Sequence, residues 1–264
     1  MKIGIIGKGI VGNAIATVFE NQGHEIFIHD KYKSPSLALE EVVKNSELNF
    51  VCVPTPSKEN GGIDLSEVND AVEKINWYAF CQTMVVIKST VVPGTTMKLQ
   101  RLFPKLLLAS NPEFLDEDHA IDDFMNSRKQ IIGSVHPPLI KKLLRLYSFM
   151  KCYKFVTDPT TAELAKYANN AFYVLKVVYA NQLFDLCQKL KADYNVIKRS
   201  LEVDKYGSKN HWEVYHKGYR GAGGKCLKKD LDAFLNLGET IEASLDLLQA
   251  ARKLNNEYLD GNSK

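Results

Sequence analysis

A glycine-rich turn near the start of the chain has the residue types and spacing that bind phosphate. Residues 7–12 read Gly-Lys-Gly-Ile-Val-Gly and separate an apolar run typical of a strand from an amphipathic run typical of a helix. The first glycine permits a tight turn, the second lets the backbone approach a pyrophosphate, and the third allows close packing of helix on strand. The helix start also favours anions through its free N–H groups and its dipole. The predicted phosphate-binding residues are Gly7, Gly9, Ile10, Val11 and Gly12.

Asp30 supplies the second part of a dinucleotide site. It ends the second predicted strand, about 20 residues beyond the loop, where a carboxylate can accept hydrogen bonds from both hydroxyls of a ribose. The same negative charge repels a 2′-phosphate, so the sequence predicts NAD rather than NADP as the cofactor. The alternative is a glycine turn followed by an unrelated surface aspartate.

Cys226 stands among cations at the predicted start of a late helix, in the segment Gly-Gly-Lys-Cys-Leu-Lys-Lys-Asp at 223–230. A helix N-terminus and the neighbouring Lys225, Lys228 and Lys229 favour the thiolate, which is the nucleophilic form. The chain has five cysteines without CxxC or Cys/His metal spacing, which predicts free thiols in reducing surroundings. The other four are predicted to be small buried hydrophobic residues: Cys52, Cys81, Cys152 and Cys187.

Two pairs of residues with helical spacing add polar groups. Asp230 follows Cys226 by four residues and lies on the same face if the helix runs through. Lys166 and Asn170 form another such pair, and an ammonium and an amide directed at one point could stabilise an oxyanion. Taken alone, the second pair is more typical of a solvated helix face.

These groups need a scaffold that brings them to the ends of strands and helices. Short β-rich runs alternate with amphipathic runs in the first part of the chain, which predicts a Rossmann-type, doubly wound, mostly parallel α/β sheet. The predicted strands are Lys2–Ile6, Glu25–His29, Asn49–Val53, Met84–Ile87, Leu106–Ala109 and Gln130–Gly133, with helices such as Val11–Asn21 and Ser66–Ile75 between them.

After about Pro159 the pattern becomes helical, because residues 161–191 contain neither Gly nor Pro and keep a helical period. We therefore predict an NAD-binding Rossmann domain over residues 1–158 and an all-α domain with a long central helix over residues 159–264. The predicted segments of the second domain are a long helix over 161–191, a helix after Asp193, a loop from Tyr206 to Gly224, and helix from Leu227 to Tyr258 broken near Gly238.

Composition excludes several classes of protein. The 264-residue chain is 45% hydrophobic and carries a net charge of +3, too little to indicate a nucleic-acid or membrane-surface partner. No apolar stretch approaches the roughly 20 residues that span a bilayer, and the chain opens with a predicted strand rather than a signal peptide. The six histidines lack metal-ligand spacing. We therefore predict a cytoplasmic protein without bound metal, nucleic acid or membrane.

Three motifs directly follow predicted strands, at the edge where open α/β sheets bind ligands. They are Val53-Pro54-Thr55-Pro56, Lys88-Ser89-Thr90-Val91-Val92-Pro93-Gly94-Thr95 and Asn111-Pro112-Glu113-Phe114-Leu115. These motifs resemble those of the UDP-glucose/GDP-mannose dehydrogenase family, as do residues 162–172 on the long helix and the segment around Cys226. All of them occur in the same order along the chain as in that family. The resemblance covers essentially the whole chain.

The resemblance implies oxidation of a nucleotide-sugar alcohol to a carboxylate with two NAD. Cys226 corresponds to the nucleophile that captures the aldehyde as a thiohemiacetal and then carries a thioester, which water cleaves. Asp230 corresponds to a carboxylate that assists proton transfer beside the thiol. Glu113 corresponds to the general base of thioester hydrolysis, and Thr90 to a residue that places the water.

The resemblance also assigns binding residues, and it makes Lys166 and Asn170 catalytic. Cofactor contacts are implied for Val53, Pro54, Thr55, Ser89, Thr90, Glu117 and Lys229, in addition to the phosphate loop and Asp30. Substrate contacts are implied for Glu113, Phe114, Leu115, Lys166, Asn170, Tyr215, Lys217, Gly223 and Cys226, with Lys217 placed to meet a diphosphate.

The chain departs from the family pattern in a few places. Asp116 stands where a basic residue is usual, while Ala222 and Lys228 replace an aromatic residue and a proline. Family members also carry a third domain that binds the nucleotide of the substrate, and we expect this sequence to lack it. Such a form would bind its substrate through fewer contacts.

UDP-glucose, oxidised to UDP-glucuronate, is the predicted substrate, and a homodimer through the long helix is the predicted assembly. Within the same chemistry, GDP-mannose or a UDP-N-acetylhexosamine is the alternative. A two-electron β-hydroxyacid-type dehydrogenase shares the Rossmann-plus-long-helix plan but needs no thiol. A non-catalytic NAD-binding protein is the remaining alternative, and it has no reason to activate Cys226.

Overall fold

The computed structural model describes residues 1–205, 207–224 and 226–261. The chain divides into two compact units, the first made of Met1–Pro56 with Ile63–Lys166 and the second of Ser57–Gly62 with Tyr167–Lys264. Three parts of the earlier predictions lie outside the described residues: the loop start at Tyr206, the cation Lys225, and residues 262–264 at the end of the predicted second domain.

The first unit is a seven-stranded sheet with helices on both faces. Its strands are β1 (Lys2–Ile6), β2 (Glu25–His29), β3 (Leu48–Val51), β4 (Thr83–Ile87), β5 (Leu106–Ser110), β6 (Lys129–Gly133) and β7 (Tyr153–Thr157). Its helices are α1 (Ile10–Asn21), α2 (Leu39–Asn45), α3 (Ser66–Tyr78), α4 (Thr95–Leu102), α5 (Ala120–Met125) and α6 (Pro137–Leu146), and α7 (Pro159–Leu190) begins in this unit.

The strand order creates a ligand-binding edge. The strands lie in the order β2-β1-β3-β4-β5-β6-β7, and every neighbouring pair is parallel except β5 with β6. Because β2 and β3 lie on opposite sides of β1, the winding reverses there, and a crevice opens at the carboxyl ends of β1 and β3. The predicted doubly wound, mostly parallel sheet is confirmed.

Two apolar cores cover the two faces of this sheet. Val86 of β4 joins the core beneath α1 and α6, while its neighbours Val85 and Ile87 join the core beneath α3. All three side chains are fully buried. Successive residues of a strand point to opposite faces, so a strand covered on both sides is apolar along its whole length.

The second unit is mainly helical. Besides most of α7 it contains α8 (Tyr194–Val203), the hairpin β8 (Tyr215–His216) and β9 (Tyr219–Arg220), α9 (Leu227–Thr240) and α10 (Asp246–Leu259). Asp193 caps α8 by accepting a hydrogen bond from the backbone N–H of Asn195 at 2.8 Å. The core of the unit joins Val174 of α7 to Leu231 of α9 and Leu248 of α10. The predicted helical region with a long helix is confirmed, although the hairpin means that it is not all-α.

Several details differ from the prediction. The strand β7 was not predicted, and the predicted loop before Gly224 contains a short hairpin. The break expected near Gly238 is present: α9 ends at Thr240, and a turn at 241–245 separates it from α10. A Cβ at Gly238 would lie 2.6 Å from the Leu245 side chain, so the glycine permits the chain after α9 to fold back closely.

The cysteines also differ in part from the prediction. Cys52 and Cys187 are buried, as predicted, and Cys152 is half-buried. Cys81 is exposed, in the turn between α3 and β4, so its predicted burial was wrong. Cys226 is exposed as well. Within the described residues, no helix is both long and apolar enough to cross a membrane.

Candidate active site

The phosphate loop requires glycine at two of its three glycine positions. Gly7 has φ +97°, and a Cβ on it would lie 2.6 Å from the backbone oxygen of Cys52. A Cβ on Gly12 would lie 1.9 Å from the backbone oxygen of Gly7. Open space surrounds the corresponding position at Gly9, which precedes α1, and among the described residues no side chain caps this helix. The N–H groups at the start of α1 can therefore receive a diphosphate that approaches the backbone closely.

Asp30 is held in place by two backbone N–H groups, one from the phosphate loop and one from two residues later in the chain. Its Oδ2 accepts a hydrogen bond from the N–H of Lys8 at 2.6 Å, and its Oδ1 accepts one from the N–H of Tyr32 at 2.9 Å. Slight burial opposes ionisation, but these N–H groups and the Lys33 ammonium hold the pKa of this carboxyl below its usual value. Asp30 is therefore an oriented carboxylate with lone pairs left for ribose hydroxyls.

A groove lies beside Asp30. It lies at the carboxyl ends of β1, β2 and β3 and includes Val53 and Pro54, both predicted to contact the cofactor. Ser89, also predicted, donates a hydrogen bond from Oγ to the backbone oxygen of Val53 at 2.7 Å. The groove is lined by Ile6, Gly7, His29, Asp30, Lys31, Tyr32, Leu39, Val53, Pro54, Glu67, Asp70, Ala71 and Lys74.

Glu113 and Lys166 form a buried ion pair in the first unit. The Lys166 Nζ lies 3.0 Å from Glu113 Oε1, and the two side chains are 5% and 13% exposed. Glu113 Oε2 accepts a hydrogen bond from the N–H of Leu115 at 2.6 Å. Burial alone would raise the pKa of Glu113, but the Lys166 charge and the Leu115 N–H lower it below its usual value. The pair therefore presents an ionised carboxylate beside an ammonium group.

The Phe114 ring lies beside two cations. The Nζ of Lys129 is 4.1 Å from the ring centroid, and that of Lys166 is 5.5 Å from it. Both distances are within the range of a cation–π contact, so the aromatic ring helps to fix Lys166. Lys129, on β6, was not singled out from the sequence. Burial, and secondarily the charge of Lys166, lower its pKa.

In the second unit, Asn170 and Asp230 form a buried polar contact. Asn170 Nδ2 donates to Asp230 Oδ2 at 2.6 Å, and Lys229 Nζ pairs with Asp230 Oδ1 at 2.7 Å. Asp230 is 1% exposed and Asn170 is 4% exposed. The solvated helix face that spacing alone favoured for Lys166 and Asn170 was therefore wrong, because both side chains are buried against carboxylates.

Cys226 occupies the N-cap position of α9, whose first residue is Leu227. Its backbone oxygen accepts a hydrogen bond from the N–H of Asp230 at 2.9 Å, so the helix runs through this segment and Asp230 follows Cys226 by one turn. Cys226 is exposed, whereas Asp230, one helical turn later, is buried. This is the helix-start position that the sequence predicted for Cys226.

The predicted substrate loop of the second unit is a hairpin followed by a glycine turn. Tyr215 lies on β8, and Lys217 lies in the tight turn with φ +51°; both are exposed. A Cβ on Gly223 would lie 2.5 Å from the Tyr219 ring, so the ring packs directly on this glycine. Ala222 is buried, and its N–H donates to Asn255 Oδ1 at 2.6 Å.

The remaining predicted residues lie in loops of the first unit. Thr55 and Thr90 are half-buried in the segments after β3 and β4, and Glu117 is exposed at the start of a 3₁₀ turn. Asp116, one of the three residues that depart from the family pattern, caps this turn by accepting a hydrogen bond from the N–H of Asp118 at 2.9 Å. An acidic residue suits that position because its carboxylate can pair with a free N–H group.

Sequence reasoning missed two buried charged residues of this unit, Lys88 and Glu163. Both belong to motifs that carry the family resemblance, but spacing gave no sign that they are buried. Lys88 is 1% exposed and Glu163 is 2% exposed. Lysine and glutamate side chains are rarely found fully buried in a protein core unless a partner group pairs with them. Among the described residues, no group of three His, Cys, Asp or Glu could hold a metal ion.

A phosphate-binding loop at the switch point of a doubly wound sheet, with an oriented aspartate after β2, defines a dinucleotide-binding protein of Rossmann type. Two family models agree with this class. The NAD binding domain of the UDP-glucose/GDP-mannose dehydrogenase family matches residues 32–151, and the central domain of the same family matches residues 160–257.

Known relatives support the same family. A UDP-glucose 6-dehydrogenase of Rickettsia conorii is 33% identical over 220 residues, which are 81% of this chain and 50% of that protein. The structure of a UDP-glucose dehydrogenase from the archaeon Pyrobaculum islandicum has a TM-score of 0.87 and 27% identity, covering 97% of this chain and 68% of that one. Mycobacterium tuberculosis 3-hydroxyisobutyrate dehydrogenase shares the fold alone, with a TM-score of 0.74, 15% identity, and coverage of 98% and 95%.

The chain belongs to the UDP-glucose/GDP-mannose dehydrogenase family, and its residues 32–151 match the family's NAD-binding domain. The resemblance drawn from the motifs and the NAD cofactor are thereby confirmed. The chain spans from about half to two thirds of the length of the curated relatives it matches.

Proposed function

We propose that this chain carries the NAD site and the catalytic groups of a nucleotide-sugar 6-dehydrogenase that oxidises UDP-glucose to UDP-glucuronate. The observation that carries the proposal is the exposed Cys226 at the start of α9, with the Asn170–Asp230 contact buried one turn later. A β-hydroxyacid-type dehydrogenase has no use for this thiol, although it shares the fold. NAD, when bound, accepts one hydride in each of two oxidations.

In the first oxidation the substrate alcohol loses a hydride to NAD and a proton to solvent water, and becomes an aldehyde. Lys166 is proposed to stabilise the oxygen that develops negative charge, because its ammonium is already fixed by Glu113 and Phe114. Asn170 is proposed to act on the same oxygen through an amide N–H. Its other partner, Asp230, fixes the orientation of the amide.

Cys226 is proposed to bind the aldehyde covalently. The Sγ–C bond forms as the thiolate adds to the carbonyl carbon, and the oxygen takes up a proton to give a thiohemiacetal. Asp230 is proposed to accept the thiol proton, which leaves the thiolate free to attack. When the second hydride and the hydroxyl proton leave, the carbon becomes a thioester on Sγ.

Glu113 is proposed to activate the water that cleaves this thioester. The carboxylate is ionised, so it can accept a proton from water as the oxygen attacks the carbonyl carbon. The C–S bond then breaks, and the products are the sugar carboxylate and the regenerated thiol. Thr90, in the segment after β4, is proposed to hold the water for this step.

A trapping experiment tests the covalent chemistry. A Glu113→Gln variant incubated with NAD and UDP-glucose should accumulate the thioester, seen as a mass increase on the peptide that contains Cys226. A Cys226→Ser variant should show no such adduct. GDP-mannose and UDP-N-acetylmannosamine in place of UDP-glucose test the substrate. If no substrate adds mass to Cys226 although NAD binds, the proposed thiol mechanism is wrong.

We further propose a homodimer that forms through α7. Phe172, Tyr179 and Leu186 are between 52% and 56% exposed and recur every seven residues, so they form an apolar stripe along one side of the helix. Such a stripe is typical of helix pairing. Sedimentation of the wild-type chain should give a dimer, and Tyr179→Lys should shift it to monomer; a monomeric wild type would contradict this assembly.

A further inference from the structure

Lys88 is a buried lysine with no role in the proposed mechanism. It directly follows β4, and its side chain is 1% exposed. Its Nζ donates a hydrogen bond to Asn111 Oδ1 at 3.0 Å and lies 5.5 Å from the centroid of the Phe124 ring. A buried ammonium group normally needs a compensating charge, because desolvation disfavours its charged form.

Asn111 connects Lys88 to the loop that carries Glu113. The Asn111 oxygen accepts hydrogen bonds from Lys88 and, at 2.6 Å, from the Tyr147 hydroxyl. The Asn111 amide nitrogen donates to Gln130 Oε1 at 3.2 Å and to a backbone oxygen of β6 at 2.7 Å. With all four contacts made, the Asn111 side chain has one orientation, and it lies two residues before Glu113 in the chain.

The charges of Lys88 and Glu113 also act on each other. Burial lowers the pKa of Lys88 to about 8, and the negative charge of Glu113 opposes this fall. Conversely, the charge of Lys88 adds to that of Lys166 in lowering the pKa of Glu113. Within the part of the chain that the structure describes, the Cys52 thiol also interacts with this carboxylate, and burial keeps the thiol neutral by raising its pKa to about 12.

We propose that Lys88 is a positioning residue for Glu113: it fixes the Asn111 side chain, two residues before Glu113, and supplies a second positive charge that keeps the carboxylate ionised. The use of that carboxylate in thioester hydrolysis rests on the proposed function, whereas the interaction of the two charges does not. Lys88 itself touches no reacting atom in this scheme. Its ammonium group acts on Glu113 through the electrostatic interaction of the two charges and through the hydrogen bond to Asn111.

A titration of Glu113 tests the proposal without any turnover. In protein labelled with ¹³Cδ-glutamate, the Glu113 resonance is assigned by its loss in Glu113→Gln. Lys88→Met removes the charge at nearly constant volume and should raise the pKa of Glu113 by about one unit, a shift typical of one nearby charge. Tyr147→Phe is the matched control: it removes the other donor to Asn111 but no charge, and should leave the Glu113 titration unchanged.

The reciprocal titration follows Lys88 itself. In protein labelled with ¹³Cε-lysine, the Lys88 resonance is assigned by its loss in Lys88→Met, and Glu113→Gln should lower the pKa of this lysine by the same amount, because coupling between two sites is mutual. If Glu113 titrates alike in wild type and Lys88→Met, or if this lysine is unmoved in Glu113→Gln, the proposal is overturned. If the rate of thioester hydrolysis is measured against pH, the acid limb of the profile should move to higher pH in Lys88→Met. The size of this move should equal the change in the pKa of Glu113.

Discussion

Replacing Glu163 with glutamine should remove a pH-dependent contribution to the stability of the first unit. Glu163 lies in the first part of α7 and is 2% exposed. Its carboxylate accepts hydrogen bonds from the N–H groups of Gly94 and Thr96, at 2.6 and 2.8 Å, where α4 begins. Burial raises its pKa from 4.5 to about 7, although these N–H groups act in the opposite direction.

The size of the effect follows from this raised pKa. The folded state binds the proton more tightly than the unfolded state, so the contribution is fully present below pH 4.5 and is lost as the pH rises through 7. One pKa unit corresponds to about 1.4 kcal/mol. Between pH 5 and pH 8 the group should therefore lose about 2.5 kcal/mol of its stabilisation.

Urea unfolding of wild type and Glu163→Gln at pH 5, 6, 7 and 8 measures this contribution. The free energy of unfolding of wild type, relative to that of the variant, should fall by about 2.5 kcal/mol across the series. Glu73→Gln, at an exposed position on α3, is the control and should leave the pH dependence of wild type intact. A difference between wild type and Glu163→Gln that stays constant with pH would refute the reasoning.

Three further changes test the cofactor site and the buried amide. Gly12→Ala should weaken NAD binding at least ~10-fold in a fluorescence titration, because its Cβ would lie 1.9 Å from the Gly7 oxygen; unchanged affinity would contradict the packing described for the loop. Asp30→Ala should reduce NAD affinity about tenfold and make the affinities for NAD and NADP more similar, since it removes the carboxylate that accepts from the ribose hydroxyls and repels a 2′-phosphate. An unaltered ratio of NAD to NADP affinity would mean that another residue selects the cofactor. Asn170→Ala should lower the free energy of unfolding by about 1–3 kcal/mol in urea, because Asp230 loses a buried donor, whereas a neutral effect would mean that the carboxylate finds another partner.

The sequence predicted the buried part of the sheet well, for a physical reason. The first predicted strand matches β1 residue for residue, since apolar runs between turn residues mark strands that helices cover. The second matches β2, which is an edge strand whose residues are mostly half-buried. β7 is at the edge of the sheet, and Tyr153 and Phe155 are 77% and 53% exposed. The β7 residues Tyr153, Phe155 and Val156 are types that favour strands, so this strand could have been predicted from its residue types.

The candidate site was predictable by residue type but not by environment. Spacing placed Lys166 and Asn170 one turn apart, yet it could not show that Glu113 and Asp230 lie against them, since those partners are 53 and 60 residues away. For the same reason the burial of Glu163 could not be predicted, because its partners Thr96 and Gly94 are 67 and 69 residues earlier in the chain. Long-range pairing decides whether a charged helical residue is solvated or buried.

The number of NADH formed per nucleotide sugar is the most direct test of the proposed thiol mechanism. With excess NAD and limiting UDP-glucose, the wild-type chain should form two NADH per sugar. Cys226→Ser should stop after one oxidation or form none, because it cannot carry the thioester. One NADH per sugar in wild type, or two in Cys226→Ser, would contradict the four-electron mechanism through Cys226.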